Sequence, residues 1–350
     1  MMTPRIRKEV DEALFAFVDR RRPDLLAVSP DLAPLLDALD SLLAGGKRLR
    51  PQFCYWGWRG AGGGTEPGIV TAAASLELLQ ASALIHDDVM DSSDTRRGQP
   101  SVHRRFEELH RRESLLGAAE PFGVGAAILL GDLCLAWSSQ MYESSALEAE
   151  RLARGRTVYD RMRTEVMCGQ YLDVLEGARR GGTVETALRV VEYKSAKYTI
   201  ERPLHLGAAL AGAPLPVMEA LSAYGRPLGI AFQLRDDVLG VFGDPAETGK
   251  PAGDDLREGK RTVLVALTAE RASPAQVEVL ERHLGDPALD GAGVDRVRTI
   301  IEESGGLAAC EEMIERYADQ AAKALADAPL TSEAVKALED LAVAATSRQA

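Results

Sequence analysis

Aromatic residues are scarce in this sequence, which has three Trp, eight Tyr and seven Phe among its 350 residues. Runs of β-branched residues are also few, whereas Ala and Leu are abundant, and this balance favours helices over strands. There is no fixed-period repeat and no convincing strand pattern. Because no stretch has the composition of a long interdomain linker, the sequence predicts one large all-α domain over residues 1–350.

Metal-binding cysteine patterns and excess positive charge are both missing. The cysteines have no CxxC or Cys/His ligand spacing, which argues against a zinc site and fits free thiols in a reducing cytoplasm. The 41 basic and 53 acidic residues give a formal net charge of −12, which argues against general nucleic-acid binding. A phosphate-bearing ligand would therefore be met by a local basic cluster or by metal.

Long apolar runs are absent as well. No segment reaches the uninterrupted apolar length of about 18 residues that is typical of a membrane span. Residues 1–22 alternate charged and apolar side chains and lack the apolar core of a signal peptide. We therefore expect a cytoplasmic protein without a membrane span.

An acidic cluster at residues 87–91 follows a long apolar segment that begins near Ile69. On a helix, Asp87 and Asp91 are four residues apart and project from nearly one face, so their carboxylates can share hard divalent cations. The preceding helix is apolar on almost every side, which predicts an interior position. Burial of Asp87, Asp88 and Asp91 there would be costly unless metal compensates.

A second acidic pair, Asp236 and Asp237, also follows helical sequence. Two carboxylate clusters that face each other across a cavity would hold a polyanion through bridging metal. For either cluster alone, a solvated helix end is the commoner explanation. That explanation weakens here because cationic motifs lie in other segments.

The first of these cationic motifs is residues 45–51, where Gly45 and Gly46 precede Lys47, Arg48 and Arg50. Cations beside exposed amides at a helix start can form a diphosphate cradle. By itself, this segment could equally be a solvated basic turn.

In combination, these motifs resemble those of the trans-isoprenyl diphosphate synthases, or polyprenyl synthetases. The similar segments are, in family order, 45–51, 87–98, 169–170, 194–195, 232–237 and 249–260. The resemblance covers about residues 45–260. It implies an all-α bundle of the isoprenoid synthase type with a central elongation cavity, and a homodimer. It also implies condensation of isopentenyl diphosphate with dimethylallyl, geranyl or farnesyl diphosphate.

The resemblance assigns roles to individual residues. Asp87 and Asp91 would bind two Mg²⁺ ions with Asp88 in support, and Asp236 would bind a third with the help of Asp237. Positive charge at the allylic diphosphate would come from Arg96, Lys194 and Lys250. The diphosphate of isopentenyl diphosphate would be held by Lys47, Arg50, Arg97 and Gln80. The remaining substrate-binding residues would be Gln170, Ser195, Gln233 and Lys260.

Gly240 departs from the family pattern, because it stands where a DDxxD motif would have its third aspartate. Metal at the second motif would then be bound by Asp236 and Asp237, and Asp255 could contribute a further carboxylate. We interpret this departure as variation rather than loss of activity.

Small residues before Asp87 bear on product length. The resemblance implies that the chain grows along this helix, about one turn per isoprenoid unit. Ser82 and Ala83 are small where a large aromatic would stop growth at fifteen carbons. We therefore predict geranylgeranyl diphosphate, with farnesyl or longer products as alternatives. The bulk that ends growth would come from residues that could equally be ordinary core: Leu78, Leu79, Trp137 and Met141.

Two other functions remain open. A class I terpene cyclase would need no second diphosphate site, so Lys47, Arg50 and Arg97 argue against it. A non-catalytic prenyl-diphosphate-binding subunit would show no turnover alone. Residues 253–260 do not form a nucleotide-binding P-loop, because five residues separate the glycines and Arg261 replaces the required Ser or Thr.

Overall fold

The computed structural model describes residues 2–179, 181–244 and 253–346. Helices dominate these residues, so the all-α prediction is confirmed. The chain forms two compact units, one of Met1–Tyr55 with Gly64–Leu152 and the other of Trp56–Gly63 with Ala153–Ala350. The single domain over residues 1–350 stays a prediction.

The first unit is built on one long apolar helix. Its elements are α1 (Met2–Val28), a 3₁₀ turn (Pro30–Leu32), α2 (Ala33–Leu43), α4 (Pro67–Met90), α5 (Val102–Arg112) and α6 (Ala119–Glu143). The helix α3 (Leu49–Gly60) begins in this unit and ends in the second. α4 packs against α6 and α1 because it is apolar on all sides, as the buried run Ala72, Ala73 and Ala74 shows.

Two predictions that the sequence makes for this unit are wrong. The position of Pro23 after the charged and apolar residues 5–19 predicts that the first helix ends there, but α1 continues through it to Val28. Pro23 is exposed, so the carbonyl that loses its hydrogen bond faces the surface. The sequence of residues 94–103 predicts a loop, yet β1 (Thr95–Arg96) pairs with β2 (Gln99–Pro100) in an antiparallel hairpin. The turn residues Arg97 and Gly98 have φ of 55° and 73°, as two-residue hairpin turns require.

Two helices of this unit, α4 and α6, are long and apolar enough to cross a bilayer. In α4 the most apolar window is 67% buried within the protein, which is the state of a core helix. In α6 the corresponding window is 39% buried. Core helices of soluble proteins pass the same test of length and composition, so neither helix indicates a span.

The second unit is organised around α10 (Leu215–Phe242). This helix packs against a π-helix (Val191–Glu201) and against α15 (Gly306–Ala326). The other helices of the unit are α8 (Val184–Val190), α9 (Arg202–Ala211), α11 (Asp254–Arg257), α12 (Val263–Arg271), α13 (Pro274–His283), α14 (Gly291–Glu303) and α16 (Ser332–Thr346), while α7 (Ala149–Ala178) begins in the first unit. Leu234, Val238 and Val241 of α10 lie in the buried core of this unit.

Candidate active site

The first aspartate cluster lies at the carboxyl end of α4. Asp87 and Asp91, four residues apart, are half-buried, whereas Asp88 is buried. The carboxyl end of a helix carries partial negative charge, which makes three carboxylates there unfavourable without a cation. The arrangement therefore suits divalent metal.

Arg96 contacts this cluster directly. Its Nε donates a 2.9 Å hydrogen bond to Oδ1 of Asp88, and its Nη2 donates to the same oxygen. The β1–β2 hairpin holds Arg96 in this place, and the amide of Ser93 donates to the carbonyl of Asp88. Arg96 is thus held against Asp88, and its role towards the allylic diphosphate stays a prediction.

Arg97 lies at the centre of a cationic cluster in the same unit. Its Nη1 donates a 2.7 Å hydrogen bond to the carbonyl of Leu42. Burial lowers the pKa of Arg97, and the nearby guanidinium groups of Arg48, Arg96 and Arg50 lower it further, against the opposite effect of Glu77. Guanidinium groups crowded in this way would be stabilised by a polyanion such as diphosphate.

The other residues predicted to hold isopentenyl diphosphate lie on α4 and near the start of α3. Lys47 is exposed and Arg50 is half-buried. Gln80 is on α4 and is half-buried. Only its amide nitrogen, Nε2, could donate a hydrogen bond to a diphosphate, because the amide oxygen is an acceptor.

The accessible side of α4 distinguishes Ala83 from Ser82 and Leu79, which are also predicted to affect product length. Gln80, Ala83, Leu84 and Asp87 are all half-buried and recur at helical spacing. Ala83 belongs to this line, whereas Ser82 and Leu79 are packed inside the protein. Trp137, a candidate for the cavity floor, is buried with its ring edge-on to Phe17 at 6.1 Å between centroids.

In the second unit, a hydrogen-bonded chain links the π-helix to the second acidic pair. Oγ of Ser195 donates to Oε1 of Gln233, and Nε2 of Gln233 donates a 2.8 Å hydrogen bond to Oδ1 of Asp237. A Cβ atom at Gly229, one turn before Gln233, would lie 2.6 Å from Cα of Ala196. Only glycine there allows the π-helix to approach α10 this closely.

Asp237 is strongly perturbed. Burial raises its pKa to about 8, the neighbouring carboxylates of Asp255 and Asp236 raise it further, and Gln233 and Lys260 oppose the change. Asp236 itself is half-buried. Repelling carboxylates in a buried place are a setting in which a divalent cation is favourable.

The residue that replaces the expected third aspartate has a structural explanation. A Cβ atom at Gly240 would lie 1.9 Å from Oδ2 of Asp255. The carboxylate of Asp255 therefore takes up the space beside α10 at this position. Nζ of Lys260 lies 3.5 Å from Oδ1 of Asp255 and 2.6 Å from Oε2 of Glu258, so Lys260 belongs to the same cluster.

Lys194 also lies against a carboxylate. Its Nζ donates a hydrogen bond to Oδ2 of Asp173 on α7. A Cβ atom at Gly169 would lie 2.3 Å from the amide nitrogen of Lys194, so glycine lets α7 and the π-helix meet. Gln170 follows directly and is half-buried. The predicted Lys250 lies outside the described residues.

The sequence interpretation missed Glu77 and the partner role of Asp173. Glu77 is a buried carboxylate on α4 and pairs with Arg48, which is itself buried. A charged residue inside an otherwise apolar helical segment was the available signal. The π-helix carried no signal, since its sequence reads as ordinary helix.

The described residues fit Mg²⁺ as a partner of diphosphate rather than as a resident ion. No three His, Cys, Asp or Glu side chains within residues 2–179, 181–244 and 253–346 are close enough to hold a metal by themselves. Mg²⁺ usually takes one or two carboxylates and completes its shell with water and substrate phosphates. The pairs Asp87 with Asp91 and Asp236 with Asp237 match that donor set.

Comparison with known proteins gives consistent matches. The sequence profile of one family, polyprenyl synthetase, matches residues 33–303. A geranylfarnesyl diphosphate synthase of Aeropyrum pernix is 32% identical over 93% of this chain and 96% of its own length. A geranylgeranyl diphosphate synthase of Saccharolobus solfataricus is 32% identical over 85% of each chain.

The fold has an equally clear counterpart among solved structures. A geranylgeranyl pyrophosphate synthase from Corynebacterium glutamicum, complexed with isoprenyl diphosphate and magnesium, superposes with a TM-score of 0.93. Its sequence is 43% identical, and the match covers 98% of this chain and 99% of that one.

Proposed function

Because this chain belongs to the polyprenyl synthetase family, we propose that it condenses isopentenyl diphosphate head-to-tail with allylic diphosphates to give geranylgeranyl diphosphate. The allylic substrates are dimethylallyl, geranyl and farnesyl diphosphate. The observation that carries this proposal is the presence of a guanidinium cluster around Arg97 in addition to two aspartate pairs. The aspartate pairs suit a diphosphate that is bound through metal, and the guanidinium cluster suits a second diphosphate that is bound without metal.

The aspartate pairs would hold the allylic diphosphate. Asp87 and Asp91 bind two Mg²⁺ ions and Asp236 binds a third, while Asp88 and Asp237 support these ligands. When bound, Mg²⁺ stabilises the negative charge that develops on the leaving diphosphate. Lys194, Lys250 and Lys260 add positive charge there, and Arg96 contributes by holding Asp88.

The reaction then follows from the position of the two substrates. The C–O bond of the allylic diphosphate breaks and its electron pair leaves with the diphosphate. The double bond of isopentenyl diphosphate attacks the allylic cation, and a proton passes to the released diphosphate. Lys47, Arg50, Arg97 and Gln80 hold the second diphosphate, while Gln170, Gln233 and Ser195 line the reaction cavity.

Product length rests on the accessible side of α4. Ala83 lies on the same line as Asp87, and its small side chain leaves room for growth past fifteen carbons. This supports a twenty-carbon product. The similar proteins include both geranylgeranyl and geranylfarnesyl diphosphate synthases, so a longer product is the main alternative.

We further propose a cytoplasmic homodimer. Exposed apolar side chains near and along α6 support an interface there, among them Leu116, Phe122, Ile128 and Leu129. Free thiols support a reducing compartment, since Cys54, Cys134, Cys168 and Cys310 are unpaired by disulfides.

Product chromatography tests the function directly. The purified protein is incubated with Mg²⁺, isopentenyl diphosphate and each allylic primer in turn, and we expect a twenty-carbon diphosphate together with released diphosphate. Failure with every primer would refute the synthase and favour a non-catalytic subunit. Conversion of a prenyl diphosphate to a hydrocarbon without isopentenyl diphosphate would favour a cyclase.

A further inference from the structure

Arg48 is a buried cation at the junction of four segments in the first unit. It is 3% exposed, and its φ is 53°, in the left-handed region. Its Nε donates a 2.7 Å hydrogen bond to Oδ1 of Asp11 on α1, and its Nη1 donates a 2.9 Å hydrogen bond to Oε2 of Glu77 on α4. It thus connects two helices that are far apart in sequence.

The same guanidinium also holds the chain that leads into α3. Nη1 donates a 2.8 Å hydrogen bond to the carbonyl of Gly45, and Nη2 donates to the carbonyl of Leu43. Gln52 holds the next part, because its Nε2 donates a 2.9 Å hydrogen bond to the carbonyl of Lys47. The backbone around Lys47 is therefore fixed by side chains on both sides.

Arg48 and Arg97 lie against the same glycine. A Cβ atom at Gly46 would lie 3.0 Å from Nη1 of Arg48 and 3.2 Å from Nη2 of Arg97. Movement of Arg48 would therefore change the surface on which Arg97 rests. Lys47 is exposed and Arg50 half-buried, whereas Arg48 between them is turned into the protein.

Charge balance explains how Arg48 can be buried. Burial works against its charged form, but Glu77 and Asp11 outweigh this effect and raise its pKa above the ordinary value. Glu77 also acts on Arg97 in the opposite sense to the surrounding guanidinium groups. The buried carboxylate of Glu77 thus offsets part of the repulsion between the guanidinium groups of Arg48 and Arg97 when no ligand is bound.

We propose that Arg48 is a positioning residue for the second diphosphate, which acts through Lys47, Arg50 and Arg97 without touching substrate. The ligand assignment rests on the proposed function. Loss of the four hydrogen bonds of Arg48 would make residues 45–50 more mobile. Lys47, Arg50 and Arg97 would then no longer be held in position to contact one diphosphate. Asp11 and Glu77 accept hydrogen bonds from Arg48 and so help to hold it in place. Through Asp11, α1 would affect substrate binding without contacting the substrate.

Steady-state kinetics of Arg48→Lys test the proposal. Lysine keeps the charge but cannot serve four acceptors in a fixed plane. We expect the KM for isopentenyl diphosphate to rise about tenfold or more, with the KM for farnesyl diphosphate within about twofold of wild type. Asp11→Asn should raise the same KM less, because Asp11 is one third exposed and its loss leaves the other three contacts in place.

The matched control is Arg22→Gln. Arg22 joins α1 to α2 through a 2.6 Å hydrogen bond to Asp40, so its removal breaks an interhelical ion pair outside the 45–50 segment. We expect both KM values to stay at the wild-type level. If Arg48→Lys changes neither KM, or raises both equally alongside a fall in thermal midpoint, the positioning role is wrong.

Binding of inorganic diphosphate in EDTA separates this inference from the function itself. Without metal, the aspartate pairs repel diphosphate, so calorimetry reports mainly binding to the cationic cluster around Arg97. We expect Arg48→Lys to weaken this binding about tenfold, whether or not the protein shows turnover. Unchanged diphosphate binding would overturn the inference. A wild-type protein that binds diphosphate but makes no product would overturn only the proposed synthase function.

Discussion

The carboxylate of Asp255 occupies the space that a side chain at Gly240 would need. Its Oδ2 lies 1.9 Å from the ideal Cβ position of residue 240. The absence of a third aspartate from the second motif is therefore matched by a carboxylate from another helix. Asp255 also acts on Asp237, whose pKa it helps to raise. A side chain at residue 240 therefore requires that the carboxylate of Asp255 be moved or removed.

Gly240→Asp should accordingly damage the protein instead of restoring a DDxxD motif. Overpacking costs about 1–3 kcal/mol, and a further carboxylate adds repulsion beside Asp237. Urea unfolding should show this loss of stability for Gly240→Asp, and the double variant with Asp255→Ala should recover much of it. Equal stability of wild type and Gly240→Asp would contradict the packing relationship. Additive effects in the double variant would contradict the coupling of the two positions.

Asp87→Ala should remove turnover. A metal ligand that stabilises the leaving group contributes several kcal/mol to the transition state, so we expect a fall in kcat of roughly a thousandfold or more. The control is Asp94→Asn, which removes a nearby exposed carboxylate that pairs with Arg104 at 2.7 Å. Product formation measured at saturating Mg²⁺ should distinguish them. Full activity of Asp87→Ala would refute its assignment as a ligand.

Ala83→Phe should shorten the product to fifteen carbons or fewer, because Ala83 lies on the accessible line of α4 with Asp87. Ser82→Phe is the comparison: Ser82 is 4% exposed, so a large ring there should overpack the core and cost about 1–3 kcal/mol. Chromatography of the products and urea unfolding separate the two effects. A shorter product from Ser82→Phe alone would place the growing chain on the other side of the helix.

Stability should depend on pH through His205. Burial, and secondly Arg202, lower its pKa to about 4. Nη1 of Arg202 donates to Nδ1 of His205, so Nε2 carries the proton and donates to the carbonyl of Met218. Between pH 6.5 and 4 the unfolded chain binds a proton that the folded chain does not. The contribution of the neutral His205 ring to the free energy of unfolding is therefore fully present above pH 6.5 and is lost as the pH falls towards 4.

His205→Gln removes this contribution to the pH dependence. Relative to the variant, the wild type should lose about 2 kcal/mol of unfolding free energy between pH 7.5 and pH 5. Urea unfolding at both values measures the difference. Parallel pH profiles of the two proteins would mean that the folded pKa of His205 is not depressed.

Much of this architecture could be predicted because the signals were local. The apolar segment before Asp87 forms α4, and the resemblance in motifs from Gly45 to Lys260 is confirmed at the level of the family. The helical fold followed from composition and periodicity. Tertiary packing decided what local rules could not: α1 continues through the exposed Pro23, and Arg48 turns inward while its basic neighbours do not.

Contacts between residues that are far apart in the sequence could not be predicted. Arg96 was predicted as a cation for the diphosphate, but its link to Asp88 depends on a hairpin of two-residue strands. The pairing of Gly240 with Asp255 depends on the approach of α11 to α10. The individual functional roles of these residues stay predictions that the variants above address.

The π-helix between α8 and α9 constrains the length of the chain at this point. Its hydrogen bonds close wider turns than those of an α-helix, so it contains more residues per turn. The helices α8 and α9 continue on either side of it. Removal of one residue would turn one of these helices by roughly 100° relative to the other. Lys194 and Ser195 are adjacent, so they could keep their contacts with Asp173 and Gln233 only if α8 or α9 turned away from its own packing partners. Substitutions can be tolerated in this segment, but an insertion or deletion would rotate one of the flanking helices out of place.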